Sequence, residues 1–161
     1  MTKGMPARNL LTRAWASALR ILRGSVIVLW VTAFLLGIVL FKVLLYLTIW
    51  LAWNTRGINL IYIYSNSPTW QEHVEKDILP HLPRRAIVLN WSERKKWRLT
   101  LATLAFYHFA GYHDFNPMAI VFCPLRPARV FRFLRPFREF KHGKPEALQK
   151  MEMELFALLN R

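Results

Sequence analysis

The sequence predicts a mixed α/β domain carried behind one membrane-spanning helix. Three observations point there. An apolar run of 28 residues extends from Val26 to Trp53, β-branched and aromatic runs of strand length begin at Ile58, and amphipathic stretches of helical period alternate with them. The 161 residues suffice for one ordinary domain plus an appendage.

The apolar run, "VIVLWVTAFLLGIVLFKVLLYLTIWLAW", would be about 42 Å long as a helix, against a hydrocarbon core of about 30 Å, so it crosses once with tilt and is too short to cross twice. Trp30 and Trp50 stand 20 positions apart with Tyr46 and Trp53 nearby, where interfacial aromatics belong. Lys42 opposes insertion by about 2.5–3.5 kcal/mol, while each Leu, Ile, Val or Phe favours it by about 0.3–0.6 kcal/mol. Eighteen such residues lie in the run, so the apolar contribution outweighs the lysine. Lys42 is expected to snorkel to the interface. The competing reading is a contact with a partner protein inside the membrane. The apolar stretch is too long for a secretory signal, and no small-residue cleavage site follows it.

Residues 1–53 hold six basic side chains and no acid, whereas residues 54–161 hold 17 basic and nine acidic ones. Five of the first six precede the apolar run, and the positive-inside rule therefore places the N-terminus in the cytoplasm and the C-terminal domain outside. The organisation expected is a basic amphipathic segment over 1–24, a transmembrane helix over 25–53, a linker over 54–57 and an α/β domain over 58–161. Leu10, Leu11, Leu19 and Leu22, interleaved with arginines, would let the first segment lie on the inner leaflet. The same acid-free start also has the composition of a mitochondrial presequence.

Within the domain, "INLIYIYS" (58–65) predicts a buried strand. Ser67 and Pro68 then predict a helix start, with Trp70, Val74 and Ile78 as its buried face and Pro80 and Pro83 as its end. "RAIVLNW" predicts a second strand. Ser92 is expected to cap a long helix from Glu93 to Ala110, with Trp97, Leu101, Leu104 and His108 on one side and Gly111 as its stop. "PMAIVF" and "ARVFRFL" predict two more strands. Gly143 and Pro145 open a last helix on Leu148, Met151, Leu155 and Leu159.

The resulting order, β-α-β-α-β-β-α, resembles the thioredoxin-like fold, which covers nearly all of residues 58–160. That fold has a cis-proline before its third strand, where Asn116–Pro117 stands here. Its active-site loop follows the first strand, where this chain has "SNSPTW". Ser67 and Trp70 fall near the positions of the redox cysteines, so the resemblance implies the fold without dithiol chemistry. Cys123, the single cysteine, lies on another strand. The alternative is a Rossmann-like three-layer domain.

Ligands of open α/β sheets favour the loops beyond the strand C-termini. Ser65, Asn66, Ser67, Asn90 and Ser92 lie there, with Pro117 beside them in the thioredoxin-like arrangement. The bland reading of these polar residues is helix capping. No Gly-rich phosphate loop is present. His108, His113 and Asp114 could form a metal or acid–base cluster, but His108 reads as a hydrogen-bonded core residue on the apolar helix face and His113 and Asp114 as loop residues after a helix stop. His73, His81 and His142 have no motif partners. Neither a cofactor nor a metal is implied. Arg126, Arg129, Arg132, Arg135 and Arg138 recur every third position, a period of neither helix nor strand. With Pro124, Pro127 and Pro136 interrupting, they are expected to form a solvated edge or a contact with anionic lipid headgroups; nucleic acid fits an external domain poorly.

The expected function is a membrane-tethered binding or accessory module that engages a protein partner and an anionic lipid surface. A membrane-bound enzyme or sensor that binds a nucleotide or other phosphorylated ligand at the strand-end loops is the alternative.

Overall fold

The computed structural model describes residues 7–111, 113–124 and 126–160, with side chains at position 15 and from 22 onward. The amphipathic face expected in residues 1–24 lies largely outside the described residues. Two compact units are present, Met1–Leu45 and Tyr46–Arg161. Helix α1, Ala7–Trp53, begins in the first and ends in the second. Every residue from 22 to 44 is exposed, about 34 Å of helix with an apolar surface. Leu22–Arg56 is long and apolar enough to span a membrane.

The second unit is a mixed α/β fold on a four-stranded sheet. It opens with the last turns of α1, a 3₁₀ turn (Asn54–Arg56) and Gly57 at φ 70°, a left-handed conformation suited to glycine. The strands are β1 (Leu60–Tyr64), β2 (Ile87–Asn90), β3 (Met118–Val121) and β4 (Arg129–Arg132). Their spatial order is β2-β1-β3-β4. β2 is parallel to β1, with Ile61 opposite Ile87, while β3 is antiparallel to both β1 and β4. The Asn116–Pro117 peptide bond, just before β3, is cis.

Strand alternation sends Leu60 and Tyr62 to one face and Ile61 and Ile63 to the other, and all four are fully buried. The first face packs against Val74 and Ile78 and against Phe133, Phe137, Leu148 and Leu155. These come from α2 (Gln71–His73) with its π-helical continuation Val74–Ile78, from the start of α4 (Leu134–Lys141), and from α5 (Glu146–Leu159). The other side is covered by α3 (Leu101–Ala110) and the end of α1. There, edge-to-face aromatic contacts run from Tyr46 to Phe109, from Phe109 to Phe122 and from Phe122 to Trp53. Ile49 and Trp53 are accordingly buried.

Three expectations about elements are corrected. The helix expected to start at Ser67–Pro68 starts at Gln71, because the Ser67 carbonyl accepts the Trp70 and Gln71 amides in a turn that leaves the strand. The helix expected from Glu93 to Ala110 is broken. A 3₁₀ segment, Trp91–Lys96, is capped by Asn90 rather than Ser92, and the chain is extended at Trp97. Then Thr100 and Thr103 form a reciprocal capping box that starts α3. Its buried face is Ala102, Ala105 and Phe106, not Leu101, Leu104 and His108, and Leu104 is exposed. Finally, the sequence predicts no helix between the fourth strand and α5, whereas the structure has α4; Pro136 lies in its first turn, where its missing N–H costs nothing.

Candidate functional site

The polar residues at the C-terminal ends of β1 and β2 converge. Asn90 is the keystone: its side-chain oxygen accepts the Ser92 amide at 2.9 Å, and its Nδ2 donates to Asn66 Oδ1 at 2.6 Å. The Asn66 amide donates to Ser92 Oγ at 3.0 Å, which closes the loop between the two strand ends. Ser65, which is buried, accepts a bond from Trp70 Nε1 at 3.3 Å. Ser67 Oγ accepts a long contact, 3.4 Å, from the Thr69 amide. Pro117 stands at the same end of the sheet, one position before the Met118–Ile63 pair, and its carbonyl accepts the Phe133 amide at 2.9 Å. Asn116 Oδ1 is buried with no hydrogen-bond partner among the described residues.

Beside this polar patch lies an open hollow of about 470 Å³, lined by Trp91, Phe106, Tyr107 and Phe115 together with the end of α3. Trp91 sits between Asn90 and Ser92, and Phe115 lies two residues before Pro117, so hollow and polar patch share a border. Its aromatic rings pack on one another: the Trp91 centroid lies 4.8 Å from that of Phe115 and 5.5 Å from that of Phe106, and Trp97 backs Phe106 at 5.5 Å. The Arg94 guanidinium lies 4.9 Å from the Trp91 ring centroid, a cation–π contact. The sequence signalled the polar residues but not this hollow, because Trp91 and Phe115 carry no periodicity that ties them together.

The arginines at three-residue spacing are divided among a turn, the edge strand β4 and α4. Arg126 is in a turn, Arg129 and Arg132 are on β4, and Arg135 and Arg138 are on α4. Arg132 donates to the His113 carbonyl, in the loop after α3, at 2.7 Å and to the Phe109 carbonyl, in the last turn of α3, at 3.4 Å. Arg135 pairs with Asp114 at 3.2 Å in an exposed contact worth little. Arg126, Arg129 and Arg138 are exposed.

His73, which had no motif partner in the sequence, has two in space. Nδ1 meets Asp77 at 2.9 Å and Nε2 meets Glu152 at 2.7 Å, which joins the first crossover to α5. The two nitrogens point in opposite directions, so the carboxylates do not converge on one ion. Among the described residues no group of His, Cys, Asp or Glu could hold a metal. The i, i+4 spacing of His73 and Asp77 was the available signal for half of this bridge. Tyr62 lies fully buried, and its hydroxyl has no hydrogen-bond partner among the described residues. Burial, with a smaller contribution from the Glu152 charge, pushes its phenol far up.

The chain has no significant match to any protein family, curated protein or solved structure.

Proposed function

We propose that this chain is a bilayer-tethered binding module whose folded part is thioredoxin-like in arrangement and lacks redox chemistry. The helix crosses the membrane once with its N-terminus in the cytoplasm, and the folded part receives an extended segment of a protein partner at the Pro117 end of the sheet. The order β2-β1-β3-β4, with one parallel and two antiparallel pairings and a proline before β3, supports the arrangement. The basic N-terminal flank supports the orientation.

One observation carries the binding assignment: an open aromatic hollow lined by Trp91, whose chain neighbours Asn90 and Ser92 form the polar strand-end patch. An extended peptide offers what the hollow lacks, an apolar side chain to fill it. The nucleotide reading is weaker here, because Asn66, Asn90 and Ser92 spend their hydrogen-bonding capacity on one another.

Photo-crosslinking amino acids at Ser67 and Asn116 of the full chain, with Gln149 on α5 as the control, test this in native membranes. A discrete protein adduct at the first two positions and not at the third is expected. The same adducts at all three positions, or none at Ser67 and Asn116, would remove the proposal. Saturable nucleotide binding abolished by Asn90→Ala would replace it with the sensor reading.

A further inference from the structure

A second concavity, of about 300 Å³, lies in the folded unit away from the strand-end patch. Its walls are the last turns of α1, chiefly Tyr46, Leu47 and Trp50, and the segment after β3, with Cys123, Arg126 and Pro127. Two hydrogen bonds shape that segment: the Arg126 amide donates to the Cys123 carbonyl at 3.3 Å, and the Ala128 amide donates to the Tyr46 hydroxyl at 3.1 Å. The lining is overwhelmingly apolar, and the one charged side chain on it, Arg126, is exposed.

From this geometry we infer that the groove is a binding site for one anionic phospholipid. The upper part of an acyl chain would lie against Leu47, Trp50 and Pro127, and the headgroup phosphate would meet the Arg126 guanidinium. Two independent features favour this occupant over a protein segment. The first is position: the exposed apolar stretch 22–44 ends two residues before Tyr46, so the groove begins close to where a helix of that length would leave the hydrocarbon. The second is the chemistry of the lining, an apolar slot with an interfacial Tyr and Trp and a single guanidinium, the donor fork that suits a phosphate. The volume accommodates only part of a chain, as expected for a lipid that keeps its tail in the bilayer. The inference rests on the membrane-tethered reading and adds to it a specific lipid seat, distinct from diffuse attraction by the basic surface.

Cys123 lines the groove and is the only cysteine, so its alkylation reports occupancy without an engineered label. The full chain would be placed in nanodiscs of phosphatidylcholine alone and of phosphatidylcholine with phosphatidylglycerol, and Cys123 modification by a maleimide followed in time. Slower modification is expected in the anionic discs, by roughly fivefold, the factor that one basic side chain at an anionic surface supplies. Arg126→Gln should abolish the difference, whereas Arg138→Gln, on α4, should leave it. Equal rates in the two disc types overturn the lipid seat. So does loss of the difference in both variants, which reports diffuse electrostatics, or protection by inorganic phosphate in neutral discs, which reports an anion site without a lipid. Failure of the chain to remain in the discs is a separate result: it would overturn the tether and this inference together.

Discussion

Asn90 and Tyr62 show how differently two polar side chains can be treated by one fold. Asn90 uses both ends of its amide to join the strand-end loops, so Asn90→Ala should cost about 1–2 kcal/mol, the range for loss of a cap with its partners left behind. Chemical denaturation would measure it, and a loss under a few tenths would show that the network is ornamental. Tyr62 has a buried hydroxyl without a partner among the described residues, and Tyr62→Phe is expected to stabilise the fold by about 1 kcal/mol. Alkaline titration provides a second test. Tyr62 is pushed up by burial, and Tyr64 is raised by its partial burial and by Glu75, so the folded chain keeps both protons longer than the unfolded chain does. That stabilisation is complete below about pH 10, where free tyrosine ionises, and is lost as the pH rises further. Denaturation midpoints should fall from pH 10 upward, and less steeply in Tyr62→Phe. Parallel curves for the two proteins would contradict the assignment.

Elements differed in how plainly their residues announced them. β1, β3 and α5 were legible because the burial pattern and the apolar pattern coincide: Leu60–Ile63 and Met118–Val121 are wholly inside, and Leu148 and Leu155 mark the inner face of α5. The start of α3 was not, since Ser92 and Thr100 are both acceptable caps and only tertiary packing of Trp97 on Trp91 and Phe106 decides between them. With the Thr100 box now evident, Thr100→Ala should cost about 1 kcal/mol and speed amide exchange over Leu101–Leu104, leaving β1 protected. Exchange that rises equally everywhere would show that α3 does not begin there. Arg132 was equally opaque in sequence, where it was one rung of a periodic series. In the structure it donates to the Phe109 carbonyl in the last turn of α3 and to the His113 carbonyl in the loop that follows, so Arg132→Ala should loosen that end and loop while Arg138→Ala leaves them unchanged.

At the scale of the whole molecule, two populations of apolar residues occupy one helix. The exposed stretch 22–44 faces outward all round, with Lys42 close to its C-terminal limit, a placement in which snorkelling to the interface is short. Ile49 and Trp53 belong to the core of the folded unit. Composition alone could not separate them, because leucine or tryptophan is equally at home against lipid and against Phe122. The arrangement of the strand-end patch had the same limit: the polar residues were visible, but the hollow beside them is made by Trp91, Phe106 and Phe115, which meet only after the chain crosses back. With this division, Lys42→Leu should leave the chain resistant to alkaline carbonate extraction, as the unaltered chain should be. Release of either protein by that wash would count against a bilayer span.

Because Tyr46, Ile49 and Trp53 pack on the side of the sheet covered by Phe109 of α3, where Phe122 also lies, the final turns of α1 are a lid on the interior. Anyone cutting the polypeptide to obtain a water-soluble piece would have to sever it ahead of Tyr46. A cut after Trp53, the obvious place on a hydropathy plot, would leave an oily scar on the fragment and invite clumping.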